Sequence, residues 1–257
     1  ATTVSGKKYS SSTADENALL VNGKVTVNLS NITVTKSGDS DGGDSSNFYG
    51  TNSGILVEGG ATVNIDNATI KTTANGANGV FSYGGNGGTN GAAGDGTTVN
   101  ISDSVITTTG NNAGGIMTTG GGITYASDLT VTTSGGSSAP IRTDRGGGWV
   151  YVDGGTYTSN GLGSPAIYST AEIHVANATL ISNLSEGVCI EGKNSIELTD
   201  CDLTANNTRC NGNATFLDTI MIYQSMSGDA DSGTSAYTMT GGSLTSKNGH
   251  MFHVTNT

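Results

Sequence analysis

The sequence has little proline, few aromatic residues and few charges. Of its 257 residues, two are proline, 5% are aromatic and 12% are charged. Only ten residues are Lys or Arg, and the formal net charge of −11 argues against electrostatic binding of nucleic acid. No stretch approaches the roughly 20 apolar residues of a membrane-spanning helix, so we expect no membrane insertion.

The chain is instead rich in Gly, Ser, Thr and Asn, and its apolar residues recur regularly. Val and Ile alternate with polar residues in short runs, which indicates strands with one buried face. Residues 17–34 match residues 53–70 without a gap, at an offset of 36. The leading apolar position, Leu19 or Ile55, recurs along the chain as far as Met251. This regularity argues against a disordered chain.

These repeats predict the fold class. One repeat holds three short strands and cannot bury its apolar face alone, so the repeats must stack. The pattern predicts an all-β, single-stranded right-handed parallel β-helix (a solenoid) over residues 17–257, with about eight stacked repeats, or rungs. Residues 1–16 are polar and are expected to cap the first rung. The rung near residues 124–131 fits only with a one-residue slip.

Turns and insertions follow the same register. The turn between the second and third strands needs residues that tolerate a left-handed backbone. Asn, Asp or Gly stands there at Asn31, Asn67, Asp103, Gly154, Asn177, Asp200 and Gly241. Insertions interrupt the rungs at residues 36–52, 82–96, 206–218 and 224–236. We expect them to project as loops, often on the binding face.

Charged and aromatic residues concentrate after the first strand of four adjacent rungs. Stacking should bring them to one outer edge, where rings can stack on sugars and charged groups can bind hydroxyls or uronate carboxylates. The predicted ligand-binding residues are Arg142, Asp144, Arg145, Trp149, Tyr168, Glu191, Lys193, Tyr223 and Gln224. The alternative is an ion-pair network that only connects the rungs.

The same edge holds the candidate catalytic residues. Asp144 and Glu191 could act as a general acid and base. Arg145 or Lys193 could abstract a proton next to a uronate. Neither assignment is firm from the sequence.

An acidic loop in the first insertion predicts a calcium site. Asp39, Asp41 and Asp44 are the candidate ligands, and Asp229 and Asp231 form a weaker second candidate. Oxygen ligands on a flexible loop suit Ca²⁺. The alternative is a solvated acidic loop, and no organic cofactor is predicted.

The cysteines lie in one rung and its insertion. Cys201 takes an inward position and is expected to be buried, whereas Cys189 points outward and Cys210 lies in the insertion. A disulfide from Cys210 to either of the others could hold that loop.

The outward positions of the second strand form a polar column. Its members are Asn28, Asn64, Asn100, Tyr151, His174, Glu197 and Thr238. This column is too mixed for the regular Thr array of an ice-binding protein. We interpret it as a solvated face and expect the ligand at the charged edge instead.

Three stretches carry a family resemblance, residues 164–170, 191–195 and 222–229. With them the chain resembles the pectate-lyase-like right-handed β-helix proteins, most closely carbohydrate-binding or adhesin-like cell-surface proteins of Gram-positive anaerobic bacteria. That resemblance implies calcium sites, affinity for plant cell-wall polysaccharides and an extracellular or cell-surface location.

We therefore expect a secreted or surface-attached protein that binds a polysaccharide without turnover, with uronate sugars among its candidate ligands. Two alternatives remain open at this point. The first is a polysaccharide lyase or glycoside hydrolase that acts on acidic glycans. The second is a structural adhesin stalk.

Overall fold

Almost all of the regular secondary structure described is β-strand. The computed structural model describes residues 1–41, 43–210 and 214–255, and the chain has 3% helix and 49% strand. The elements are β1 (Thr2–Ser5), β2 (Lys8–Ser11), β3 (Leu19–Asn22), β4 (Thr26–Ser30), β5 (Thr33–Lys36), α1 (Gly43–Tyr49), β6 (Ile55–Glu58), β7 (Thr62–Asp66), β8 (Thr69–Thr72), β9 (Val80–Tyr83), β10 (Thr98–Ser102), β11 (Val105–Thr108), β12 (Ile116–Thr119), β13 (Gly122–Thr133), β14 (Ile141–Thr143), β15 (Gly148–Ser159), β16 (Ile167–Ser169), β17 (Glu172–Ala176), β18 (Thr179–Ser182), β19 (Val188–Glu191), β20 (Ser195–Thr199), β21 (Asp202–Ala205), β22 (Asp218–Tyr223), β23 (Ala236–Thr240), β24 (Ser243–Ser246) and β25 (His250–Val254).

The strands pair in parallel and form two sheets. The nine-stranded sheet has the order β25-β22-β19-β16-β14-β12-β9-β6-β3. The 16-stranded sheet contains two parallel columns, which share the long strands β13 and β15. The predicted all-β, parallel-strand architecture is confirmed.

The strand register equals the offset between the sequence repeats. Leu19 pairs with Ile55 and Val27 with Val63, each 36 residues away. Inward side chains of successive strands therefore lie on one another and form a continuous apolar core. Ile55 and Val63 are fully buried there.

The one-residue slip near residues 124–131 is wrong. Val99 pairs with Thr124 and Ile106 with Val131, so a single offset of 25 aligns both strands. The apolar pattern pointed to the wrong register because a polar residue, Thr124, stands at an inward position that Val99 occupies in the preceding rung. It is 1% exposed, and its hydroxyl lies 2.7 Å from that of Thr118, which satisfies its hydrogen bonding.

The two ends of the chain also differ from expectation. At the C-terminal end Phe252 pairs with Ile220, so Phe252 and not Met251 continues the leading apolar column. Two adjacent apolar residues left that choice open to the sequence. At the other end, residues 1–16 contain β1 and β2, which pair in register with β4 and β5.

The left-handed turn column is confirmed. Five of its predicted Asn and Asp residues have φ between 49° and 54°, and Gly154 and Gly241 also have positive φ. Asp128, at φ 52°, joins the column once the slip is removed. A side chain without a local hydrogen-bonding group resists this conformation.

The described parts of the first, second and fourth insertions lie over the outer face of the nine-stranded sheet. In the first insertion α1 places Phe48 there, and its carbonyl accepts a 2.6 Å hydrogen bond from Thr119. Beneath it, three outward side chains are buried as a second apolar cluster, namely Leu56, Phe81 and Met117. We call this sheet the covered sheet and the 16-stranded one the open sheet.

The second and fourth insertions meet on the same face. The Asn90 side-chain amide donates to the Gly228 carbonyl at 3.1 Å and to Asp231 at 3.3 Å. Asn86 donates to the Gly146 carbonyl at 3.0 Å. The insertions therefore pack on the covered sheet, where the sequence predicted projecting loops.

We predict that the left-handed turns contribute measurably to stability. Asn67→Ala should lower the free energy of unfolding by about 1–2 kcal/mol more than Asn183→Ala, because Ala resists positive φ. Both substitutions remove one Asn–Asn hydrogen bond, but only Asn67 has positive φ. Urea unfolding measures both variants, and equal losses would contradict the prediction.

Candidate functional site

The predicted charged edge is largely buried beneath the fourth insertion. Arg142 is 7% exposed and Asp144 is 2% exposed. Arg142 donates to Asp144 at 2.6 Å and to the Ser137 carbonyl at 2.8 Å. Burial raises the pKa of Asp144, while the Arg142 guanidinium opposes that rise. A polysaccharide cannot reach this pair in the described conformation.

Glu191 is also enclosed, at 1% exposed. It accepts hydrogen bonds from the hydroxyls of Tyr168, Ser225 and Ser227. Burial raises the pKa of the Tyr168 hydroxyl well above its ordinary value. Glu191 thus anchors the fourth insertion to the covered sheet and has no open path to a substrate.

Two further predicted ligand-binding residues, Tyr223 and Gln224, lie where β22 ends and the fourth insertion begins. Tyr223 pairs with Glu191 across adjacent strands, and burial raises the pKa of its hydroxyl. The Gln224 amide donates to the Ala230 carbonyl at 3.1 Å, within the insertion. Gln224 therefore stabilises the conformation of the loop.

The exposed basic residues of the edge are paired with the loop. Arg145 binds Asp229 at 2.8 Å, and its guanidinium lies 4.3 Å from the centre of the Phe48 ring. Lys193 lies 3.8 Å from Asp231. The structure thus favours the ion-pair network that was the alternative to a ligand site.

Trp149 and Lys193 are the predicted residues that remain open to solvent. They line a cleft of about 490 Å³ together with Glu172 and Asp231. Its floor includes the glycines at residues 146–148. We call it the indole cleft. It lies between the second and fourth insertions, and Trp149 is 38% exposed.

A second, larger cavity lies on the open sheet. A groove of about 640 Å³ crosses seven adjacent strands, β4, β7, β10, β13, β15, β17 and β20. Each strand contributes outward side chains to it, such as Asn64 with Asp66 and Tyr151 with Asp153. We call it the sheet groove. It contains the outward column that the sequence analysis interpreted as a solvated face.

One half of the sheet groove is an asparagine ladder. The Asn64 amide donates to Asn28 at 2.9 Å, and the Asn100 amide donates to Asn64 at 2.8 Å. Each amide has a second N–H donor that this ladder does not use. The ladder therefore repeats one hydrogen-bonding group at the strand spacing of about 4.8 Å.

The other half is an aromatic stack. The centres of the Tyr125 and Tyr151 rings lie 5.2 Å apart, those of the Tyr151 ring and the His174 imidazole lie 5.1 Å apart, and the ring planes are nearly parallel. Tyr125 is 47% exposed. Because the rings stack on one another, they present edges and hydroxyls to the groove.

Two carboxylates flank His174. Its Nε2 lies 2.9 Å from Glu172 and its Nδ1 lies 3.0 Å from Glu197. This trio fixes the end of the stack and leaves acceptor capacity on both glutamates.

The sequence analysis missed Tyr125, and the assumed slip is the reason. With one register throughout, Tyr125 falls in the outward column next to Tyr151 and His174. Three consecutive rings in one column would then have stood out from the surrounding Asn and Thr. The correct register was therefore the sequence signal that would have assigned Tyr125 to this column.

The calcium candidates do not converge. Asp39 accepts from the Asn75 amide at 2.8 Å, and Asp44 lies in the first turn of α1. A hydrogen bond between Asp15 and Asp41 lowers the pKa of Asp15 and raises that of Asp41. Within residues 1–41, 43–210 and 214–255, no three His, Cys, Asp or Glu side chains form a metal-binding group.

The three cysteines are free thiols. Cys201 is buried as predicted, and Cys210 is exposed. Cys189 does lie on the outward face, but it is buried because that face is covered. Burial raises the pKa of the Cys189 thiol well above its ordinary value. Neither suggested disulfide is present.

Comparisons of the chain with protein-family models, with curated proteins and with solved structures gave no match. The resemblance to pectate-lyase-like proteins therefore stays a prediction. In the described part of the chain, no helix has the length and apolarity required to cross a bilayer.

The burial of the charged edge gives a direct test of its role. Asp144→Ala should lower the free energy of unfolding by about 3–5 kcal/mol, because it leaves Arg142 buried without its partner. Asp229→Ala breaks a similar Arg–Asp pair that is partly exposed, and should cost no more than about 1 kcal/mol. Urea unfolding gives both values. Similar costs for the two variants would contradict a buried structural role for Asp144.

Proposed function

We propose that this protein is a secreted or cell-surface polysaccharide-binding protein, built as a right-handed parallel β-helix, that holds its ligand along the sheet groove without turnover. The parallel pairing of strands one repeat apart supports the β-helix. Right-handed connections between parallel strands are almost universal, which supports the handedness.

The observation that carries the binding function is the repeat of the sheet groove. It presents the same side-chain position on seven adjacent strands. An extended polymer that lies across these strands meets a hydrogen-bonding group at every step of about 4.8 Å. A compact small molecule would use only a fraction of such a groove.

The groove chemistry suits sugar hydroxyls. Amides in the ladder can donate and accept, and Asp66 and Asp153 add carboxylate acceptors. The exposed part of the Tyr125 ring offers apolar surface to the C–H groups of a sugar.

The absence of turnover rests on where the carboxylates lie. Asp144 and Glu191, the predicted acid and base, are 2% and 1% exposed. Glu197 in the sheet groove and Glu172 beside it both contact His174. A groove-bound chain therefore finds no isolated carboxyl pair on either side of one bond.

A glycoside hydrolase is the second candidate, because Glu172 and Glu197 lie on opposite sides of the same imidazole. Two carboxyl groups on either side of a glycosidic bond are the requirement for hydrolysis. Release of reducing ends from a polysaccharide panel would establish this activity and overturn the proposal of binding alone.

We predict that the aromatic stack is required for binding. Tyr125→Ala should weaken binding to a neutral polysaccharide by about 5- to 150-fold, as expected for loss of about 1–3 kcal/mol of contact. Thr132→Ala is the matched control, since Thr132 is an outward residue of the same strand β13 but lies outside the groove. Affinity electrophoresis and calorimetry measure the effect.

A third variant separates the two cavities. Trp149→Ala changes the indole cleft and leaves the sheet groove intact, so its affinity should equal that of the unaltered protein. Loss of binding in Trp149→Ala but not in Tyr125→Ala would place the ligand in the cleft and contradict this assignment.

A further inference from the structure

The charge distribution around the sheet groove carries an inference about its ligand, which rests on the proposed binding function. Acidic side chains line the groove at Asp66, Asp153 and Glu197, and Glu172 lies next to it against His174. Among the described residues that line it, none is Lys or Arg. His174 is the one basic side chain there.

The acidic groups span the groove and are not confined to one end. Asp66 on β7 and Asp153 on β15 are three strands apart, roughly 14 Å at the usual strand spacing. Glu197 lies two strands beyond Asp153, on β20. A polymer that occupies the groove therefore meets negative charge along most of its bound length.

Neutral donors, and not Lys or Arg side chains, are the described partners of Asp66 and Asp153. Asp66 accepts from the Ser102 hydroxyl at 3.1 Å, and Asp153 accepts from the Asn177 amide at 2.9 Å. Neutral donors leave the carboxylate charge in place. Each carboxylate also keeps acceptor sites for hydroxyl or ammonium donors.

Two of the three basic residues predicted to bind a uronate are engaged in ion pairs, and the third, Lys193, lines the indole cleft and not the sheet groove. Arg142 is buried against Asp144, and Arg145 is paired with Asp229. Lys36 is fully buried and donates to two backbone carbonyls, at 2.6 and 2.7 Å. The expectation of a uronate ligand depended on Arg and Lys at the charged edge, and that edge is closed.

We propose that the sheet groove selects polysaccharides without carboxylate or sulfate groups and rejects polyuronates. Like charges that face each other across an interface oppose binding, and the acidic groove would add this repulsion at several sugar units. Uncharged sugars satisfy the same amide, hydroxyl and carboxylate groups without it. The net charge of −11 acts in the same direction at longer range.

A matched pair of polymers tests this selectivity. The probes are highly methyl-esterified homogalacturonan and the same sample after removal of its methyl esters, with a neutral mannan and its C6-oxidised, carboxylate-bearing form as a second pair. In EDTA-containing buffer of low ionic strength, each carboxylate form should bind at least about tenfold more weakly than its neutral counterpart. The difference should shrink at about 0.5 M NaCl, where charges are screened within a few ångströms.

Charge-neutral variants assign the repulsion to the groove. The double variant Asp66→Asn, Asp153→Asn should reduce the difference in affinity between each carboxylate polymer and its neutral counterpart at low salt. The control double variant Asp44→Asn, Asp202→Asn removes the same net charge at exposed positions outside the groove and should leave the difference unchanged.

The outcomes are distinct. Equal or stronger binding of the carboxylate forms overturns the inference and leaves the binding function standing. Equal effects of the two double variants overturn the assignment of selectivity to the groove. Failure of all four polymers and of a wider neutral panel to bind overturns the proposed function together with this inference.

Discussion

Parallel pairing in a constant register is the constraint on which the rest of this structure depends. Because each strand lies on the strand one repeat earlier, a residue shares its environment with a whole column. Inward columns such as that of Leu19 and Ile55 must stay apolar, and the turn column must accept positive φ. The outward columns are free of those demands, so their composition is where function can be encoded.

The insertions decide which outward columns remain available. They pack on the covered sheet and turn its outer face into a second interior, with the cluster of Leu56, Phe81 and Met117 at one end. Buried polar groups follow on the same face, where Arg142 donates to Asp144. The sheet groove lies on the outer face of the open sheet, where side chains such as Asp66 and Tyr125 stay exposed.

Most of the fold could be predicted from the sequence, because strand alternation and turn residues report local requirements. The pairing of Leu19 with Ile55 and the left-handed Asn67 followed directly. Thr124 broke the apolar pattern because a hydrogen bond to Thr118 replaces apolar packing, and the sequence alone does not show that partner.

The candidate site was less predictable, because its location depends on where long loops lie. Charged residues such as Arg142 and Glu191 stood out from the repeat, but that departure reflected the anchoring of an insertion over them. The position of Asn90 against Asp231 joins loops 141 residues apart, and no local pattern encodes such a contact. The groove, by contrast, could have been found from the column of Tyr125, Tyr151 and His174 alone.

The constant register also gives the sheet groove a fixed unit of length. Each repeat adds one strand to the column of the open sheet that carries the groove, and one side chain to the ladder or the stack, as Asn28, Asn64 and Asn100 illustrate. The number of repeats therefore sets the length of the groove, in steps of one strand spacing. Duplication or loss of a repeat would change that length without redesign of any single contact.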